Sequence, residues 1–126
     1  YGDGLIELYG KNKNKMIIAL GSVCNTIEDM IDNGEKISLL RIKTYRPFPI
    51  QEIIQATKST KEIIVLDRSY SYGLAGPLFS EISSILKNKK IKSGIVGLGG
   101  RDITPKTIRK IINSKKQETW DDTYDT

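Results

Sequence analysis

Three short stretches hold the residues whose types and spacing could do chemistry. The first is Asp67-Arg68-Ser69-Tyr70-Ser71-Tyr72-Gly73, followed by Gly76-Pro77. Asp67 could orient Arg68, cap the loop through an Asx turn, or contact a ribose or carboxylate. Tyr70 and Tyr72 stand two apart and share a side if the segment is extended. Such a pair suits an interface, because each tyrosine joins a large apolar body to a polar tip. The second stretch is Tyr45-Arg46-Pro47-Phe48-Pro49. Its two prolines fix φ and bias their predecessors to extended geometry, so Arg46 and Phe48 are presented at low entropic cost. The third is Gly97-Leu98-Gly99-Gly100-Arg101-Asp102. Consecutive backbone N–H groups around Gly99 and Gly100 could form an anion nest, with Arg101 as a clamp. A tight turn tied by Arg101 and Asp102 is the simpler reading. The stretch is not a dinucleotide fingerprint, because its glycines end a strand late in the chain rather than opening the first strand–helix unit.

The residue inventory excludes several chemistries. There is no histidine and a single cysteine, Cys24. The commonest general base is therefore missing, and with it every Ser-His-Asp or Cys-His arrangement. One cysteine cannot form an internal disulfide, a zinc site or an iron–sulfur ligand set. It suits a reducing, cytoplasmic setting. Cys24 follows Ser22 at an expected helix start, and reads as a packed structural thiol. Glu28, Asp29, Glu52 and Glu81 read as helix-surface carboxylates. No nucleophile stands beside a base, so no catalytic residue, cofactor-binding residue or metal ligand is assigned.

The net charge of +5 comes mainly from lysines scattered among apolar residues. They form no stripe interleaved with aromatics, so they read as solvated helix ends and turns rather than a nucleic-acid surface. No apolar run approaches the roughly 18 residues of a membrane span, and no signal-peptide pattern is present. The first residue is Tyr1, which favours excision from something longer.

The elements that must position these stretches alternate. Leu5–Tyr9 is a short first strand, and Met16–Leu20 has the continuous apolar character of a buried parallel strand. Ser22 is a candidate helix cap, and Val23, Ile27, Met30 and Ile31 make one helix face that ends at Asn33-Gly34. Ile37–Ile42 is a strand. Pro49 opens a short helix marked by Ile50, Ile53 and Ile54 and ending near Lys58. Ile63–Leu66 is a buried strand. Pro77 starts a helix whose face is Leu78, Phe79, Ile82, Ile85 and Leu86. Ile91–Gly97 is a glycine-bearing last strand, and Thr104-Pro105 is a cap followed by a first-turn proline, beginning a helix with Ile108, Ile111 and Ile112 inward. The polar tail Gln117–Thr126 is expected to fray or lie on a neighbour. The alternation argues for a single α/β domain with helices on both faces of a mostly parallel sheet.

Read in order, these motifs resemble a known family. Ala19-Leu20-Gly21-Ser22-Val23-Cys24 comes first. Leu40-Arg41-Ile42 follows, leading to Arg46-Pro47-Phe48-Pro49. Next are Leu66-Asp67-Arg68-Ser69 with Gly73, Gly76-Pro77-Leu78-Phe79 and Glu81, then Gly97 to Thr104. The series is similar to the second domain of the alpha subunit of pyruvate:ferredoxin (flavodoxin) oxidoreductases, over roughly Tyr1 to Ile112. The resemblance implies a transketolase C-terminal-like fold over residues 1–116, with 117–126 as a polar tail. That fold is a three-layer α/β/α arrangement around a five-stranded mixed sheet of order 1-3-2-4-5. Its first strand is antiparallel, which accounts for Leu5–Tyr9. The resemblance also implies a whole enzyme that converts a 2-oxoacid and CoA to an acyl-CoA, carbon dioxide and reduced ferredoxin or flavodoxin. Such an enzyme uses thiamine diphosphate, Mg and [4Fe–4S] clusters held by other domains or subunits. Pyruvate or a branched-chain 2-oxoacid fits the motifs better than 2-oxoglutarate. This domain's implied role is architectural, with the remaining domains and subunits as partners, and neither nucleic acid nor membrane. Arg46, Phe48, Asp67, Arg68, Tyr70, Tyr72, Gly99, Gly100, Arg101 and Asp102 are the candidate interface or anion contacts. Two other readings stand beside it: an autonomous anion-binding or regulatory module built on Arg46, Arg68 and Arg101, and the C-terminal domain of a transketolase-like enzyme.

Overall fold

The β-branched, aliphatic runs of the sequence become the inner strands of one sheet. The computed structural model describes residues 5–12, 14–21, 23–43, 48–68, 77–87, 89–96, 103–113 and 118–120, with backbone alone for Arg68, Pro77 and 118–120. The strands are β1 (Ile6–Tyr9), β2 (Lys15–Ala19), β3 (Ser38–Ile42), β4 (Glu62–Arg68), β5 (Lys90–Val96) and β6 (Glu118–Trp120). The helices are α1 (Val23–Asp32), α2 (Ile50–Ala56), α3 (Pro77–Ile85) and α4 (Pro105–Asn113).

The sheet order is β1-β3-β2-β4-β5-β6. β1 runs antiparallel to β3, pairing Ile6 with Ile42 and Tyr9 with Leu39, and the other pairings are parallel. The expected 1-3-2-4-5 order and antiparallel first strand are therefore present, and a sixth strand extends the sheet. Residues 118–120 of the expected tail pair with Ser93, Gly94 and Ile95 of β5. Edge strands need no continuous apolar run, so Glu118-Thr119-Trp120 carries little sequence signal for a strand.

Alternation along the strands divides the core in two. Ile17, Ala19, Leu39, Ile64, Leu66 and Val96 face α1 and α4, meeting Val23, Cys24, Ile27, Met30, Ile108, Ile111 and Ile112. Met16, Ile18, Leu40, Ile42, Ile63, Val65 and Ile91 face α2 and α3, meeting Ile53, Leu78, Ile82 and Leu86. β2 is thus buried on both faces, as its uninterrupted apolar run requires.

The helix ends follow local chemistry. α1 stops in a Schellman motif: Glu35 N–H donates to Met30 O and Gly34 N–H to Ile31 O. Gly34 sits at φ +100°, where a side chain would be strained. At α4, Thr107 N–H donates to Thr104 Oγ1 at 3.3 Å, so Thr104 is the expected cap. The expected Ser22 cap lies outside the described residues. Gly94 of β5 answers to packing: a Cβ there would lie 2.6 Å from Ile111 Cγ2 and 2.7 Å from Leu66 Cδ2. The glycine lets α4 approach the sheet.

Candidate functional site

The parallel strands β2 to β5 end on one side of the sheet, where ligands and partners of open α/β sheets are usually met. The register sets Asp67 beside Ile95 and Arg68 beside Val96. The strand ends that feed the Ser69–Gly76 and Gly97–Asp102 stretches are therefore adjacent. Arg46, Tyr70, Tyr72, Gly99, Gly100, Arg101 and Asp102 lie outside the described residues, as does the side chain of Arg68. Phe48 is partly buried and packs against the α2–α3 side of the core.

Asp67 is the described candidate whose geometry is most informative. It belongs to β4 rather than to the loop, because that strand runs two residues beyond the apolar Ile63–Leu66 run. Its carboxylate is buried and accepts hydrogen bonds from Leu78 N–H (2.9 Å, Oδ1) and Phe79 N–H (3.0 Å, Oδ2). These are orphan donors of the first turn of α3, so Asp67 caps that helix from eleven residues away. The local Asx turn expected at Asp67 is thus replaced by a cap reached through the tertiary fold. Burial pushes its carboxyl above the ordinary range, against the opposing pull of the two N–H bonds. The arrangement fills the positive end of α3 with the chain's own anion.

Two further described groups, Cys24 and Lys92, are held within the core. Cys24 is fully buried, and desolvation pushes its thiol to about 11, far from a reactive thiolate. Lys92 was missed by sequence reasoning. Its Nζ donates to Ile112 O at 2.9 Å and lies 3.5 Å from Glu62 Oε2. Burial lowers its pKa while Glu62 opposes the shift. Alternation of Ile91, Lys92 and Ser93 within a strand gives no signal that a lysine turns inward. This cluster sits at the opposite end of the strands from Asp67.

The described residues hold no group of three or more His, Cys, Asp or Glu placed to bind a metal. The whole sequence has one cysteine and no histidine, so its donor set does not fit a [4Fe–4S] cluster, and no reaction step is assigned through one. No helix among the described residues is long and apolar enough to cross a membrane.

Helices on both faces of a mixed sheet, with an antiparallel first strand and the order β1-β3-β2-β4-β5, define an α/β fold. A solved 2-oxoglutarate:ferredoxin oxidoreductase from Magnetococcus marinus, with 2-oxoglutarate, coenzyme A and succinyl-CoA bound, shares this fold. Its TM-score is 0.68 at 21% identity, over 85% of this chain and 19% of that one. Residues 14–108 match the family model of pyruvate:ferredoxin oxidoreductase core domain II, and the chain belongs to that family. It is 44% identical to the pyruvate synthase subunit PorA of Methanocaldococcus jannaschii, over 98% of this chain and 33% of that subunit. It is 36% identical to the ketoisovalerate oxidoreductase subunit VorA of Pyrococcus furiosus, over 81% of this chain and 28% of that subunit. The chain thus spans about a third of the length of these two curated relatives.

Proposed function

We propose that this chain is an architectural domain of a thiamine-dependent 2-oxoacid:ferredoxin oxidoreductase. The whole enzyme converts pyruvate, or a branched-chain 2-oxoacid, and CoA to an acyl-CoA, carbon dioxide and reduced ferredoxin or flavodoxin. Thiamine diphosphate, Mg and iron–sulfur clusters are held by its other parts, in the cytoplasm. The observation that carries this reading is the Asp67 cap. At the strand ends, where a catalytic loop domain would offer a vacant helix N-terminus to substrate, the position is filled by Leu78 and Phe79 bonding to Asp67. The similarity to PorA and VorA subunits supports the reaction class and the 2-oxoacid range. Arg46, Arg68, Tyr70, Tyr72, Arg101 and Asp102 are proposed as contacts to neighbouring domains. Residues 1–116 are proposed as the domain proper, with residues 118–120 adding β6 to its edge.

The test is affinity purification of the tagged natural protein from its own cells, with mass spectrometry of what accompanies it. Recovery with thiamine-binding and ferredoxin-like polypeptides, or fusion to them, is the expected result. Recovery alone, or with unrelated proteins, overturns the reading. Incubating the purified 126-residue chain with pyruvate, CoA, thiamine diphosphate and an electron acceptor should give no turnover. Measurable oxidation would overturn the architectural assignment.

A further inference from the structure

The two helical layers differ in surface chemistry. α1 and α4 carry Glu28, Asp29 and Asp32, and Lys106, Arg109 and Lys110. α2 and α3 together carry two charged residues, Glu52 and Glu81, and neither a lysine nor an arginine, in a chain with 20 of them. Three of the four exposed large hydrophobics among the described residues lie on the same side, the fourth being Leu20 just after β2. Ile50 and Ile54 of α2 are 42% and 39% exposed, one helical turn apart. Leu8 of β1, 42% exposed, sits opposite Leu40 and so faces the α2 side of the sheet. Between β1 and the end of α2 is an open cavity of about 410 Å³, with Leu8, Met16 and Ala56 among its lining residues and Lys11, Asn12 and Gln55 as polar ones. Depletion of charge, clustering of aliphatic side chains and an adjacent recess together mark the centre of an interface rather than solvated surface.

We propose that the α2 side of this domain, centred on Ile50 and Ile54 and reaching Leu8, docks the polypeptide that completes the subunit. The inference rests on the proposed function. Its occupant is chosen from chain length: the matched segment is 33% of the Methanocaldococcus jannaschii subunit and 28% of the Pyrococcus furiosus subunit, so a body about twice this domain's size accompanies it in each. Domains of one chain meet through interfaces of about 600–1,500 Å², large enough to cover α2 and the recess beside it. Ile53 anchors α2 to the core from the opposite side, so the helix can be covered outside without rearranging inside.

The experiment uses the full-length subunit with single cysteines introduced as Ile54→Cys and, on the charged layer, Lys106→Cys. Native Cys24 is buried and reacts slowly. With a maleimide probe, Cys at 54 should label at least tenfold more slowly than Cys at 106 in the subunit alone. Equal rates overturn the proposal. Protection that appears only after other subunits or a second copy are added overturns the assignment to the same subunit. As a second readout, Ile50→Lys/Ile54→Lys should release the 1–126 segment after a proteolytic nick that leaves the unmutated pieces associated. Retention in the double variant counts against the surface. These rates are read whatever co-purifies, so failure here is distinct from failure of the oxidoreductase reading.

Discussion

Asp67 and Leu78 are joined by a 2.9 Å hydrogen bond from the Leu78 N–H to the Asp67 carboxylate, and Phe79 N–H supplies a second at 3.0 Å. One side chain thus fixes both the end of β4 and the start of α3. Replacing it with alanine leaves two N–H groups of a helix start unpaired beside the core. Asp67→Ala should therefore lower stability by about 2–3 kcal/mol, within the range for hydrogen bonds to charged groups. Asp67→Asn keeps one acceptor and should lose less. Urea unfolding of the purified variants measures both; equal stability of Asp67→Ala and the parent protein would sink the cap.

The same carboxyl should leave a pH signature. Its folded pKa is raised above the ordinary 3.8 by burial. Between 3.8 and the folded value, the native state holds more protons than the unfolded state. The protonation-linked part of the Asp67 contribution is thus fully present below about pH 3.8 and is lost as pH rises through the folded pKa, leaving the two N–H bonds to the carboxylate as what the cap contributes above it. The stability difference between the parent protein and Asp67→Asn should shift against the parent across that window. Denaturation curves taken in steps from pH 3.5 to pH 7 measure it, and a flat difference refutes the shift.

Gly94 is set by what surrounds it. A Cβ at this position would sit 2.6 Å from Ile111 Cγ2 and 2.7 Å from Leu66 Cδ2, both in buried side chains. Gly94→Ala should destabilise the protein by about 1–3 kcal/mol, the usual range for overpacking. Combining it with Ile111→Ala should cost less than the sum of the two single changes, because the second removes the clash. Strict additivity in a thermal double-mutant cycle would show that α4 does not press on β5 here.

The periodic segments were legible because burial imposes the period. Ile17 and Ile18 point to opposite sides and both are buried, which is why β2 reads as an unbroken apolar run. The Gly34 stop and the Thr104 cap were legible for a different reason: each is a local bond made within a few residues. What the sequence concealed is non-local. Nothing near Asp67 shows that its partners are the N–H groups of residues 78 and 79. Nothing near Lys92 shows that a carbonyl of α4 awaits it. Ile50 and Ile54 share an apolar spacing with Ile53, yet only Ile53 is buried. Periodicity records that a face is apolar, not whether the domain itself covers it. The strand β6 was hidden because three residues at an edge need no core-facing pattern.

Lys92 and Glu62 provide a test of buried electrostatics far from the strand ends. Glu62 Oε2 lies 3.5 Å from Lys92 Nζ, and Glu62 Oε1 lies 3.9 Å from Lys15 Nζ, so one carboxylate serves two ammonium groups. Lys92 is 6% exposed, and desolvation lowers its pKa below the ordinary 10.5 despite Glu62. Glu62→Gln removes the charge that opposes this shift and should lower the Lys92 pKa further. Its destabilisation should be about 1–3 kcal/mol, below that for a fully buried pair because Glu62 is partly exposed. Lys92→Met should be milder, since it removes the buried charge together with the need for its partner and keeps much of the packed stem. The sign of the pH effect follows: between the folded pKa and 10.5 the unfolded state binds more protons, so stability from this site rises with pH through that window. Urea unfolding at pH 7 and pH 10 for the three proteins measures the order. Lys92→Met less stable than Glu62→Gln at pH 7 would show that the hydrogen bond to Ile112 O, not the ion pair, holds this end of α4.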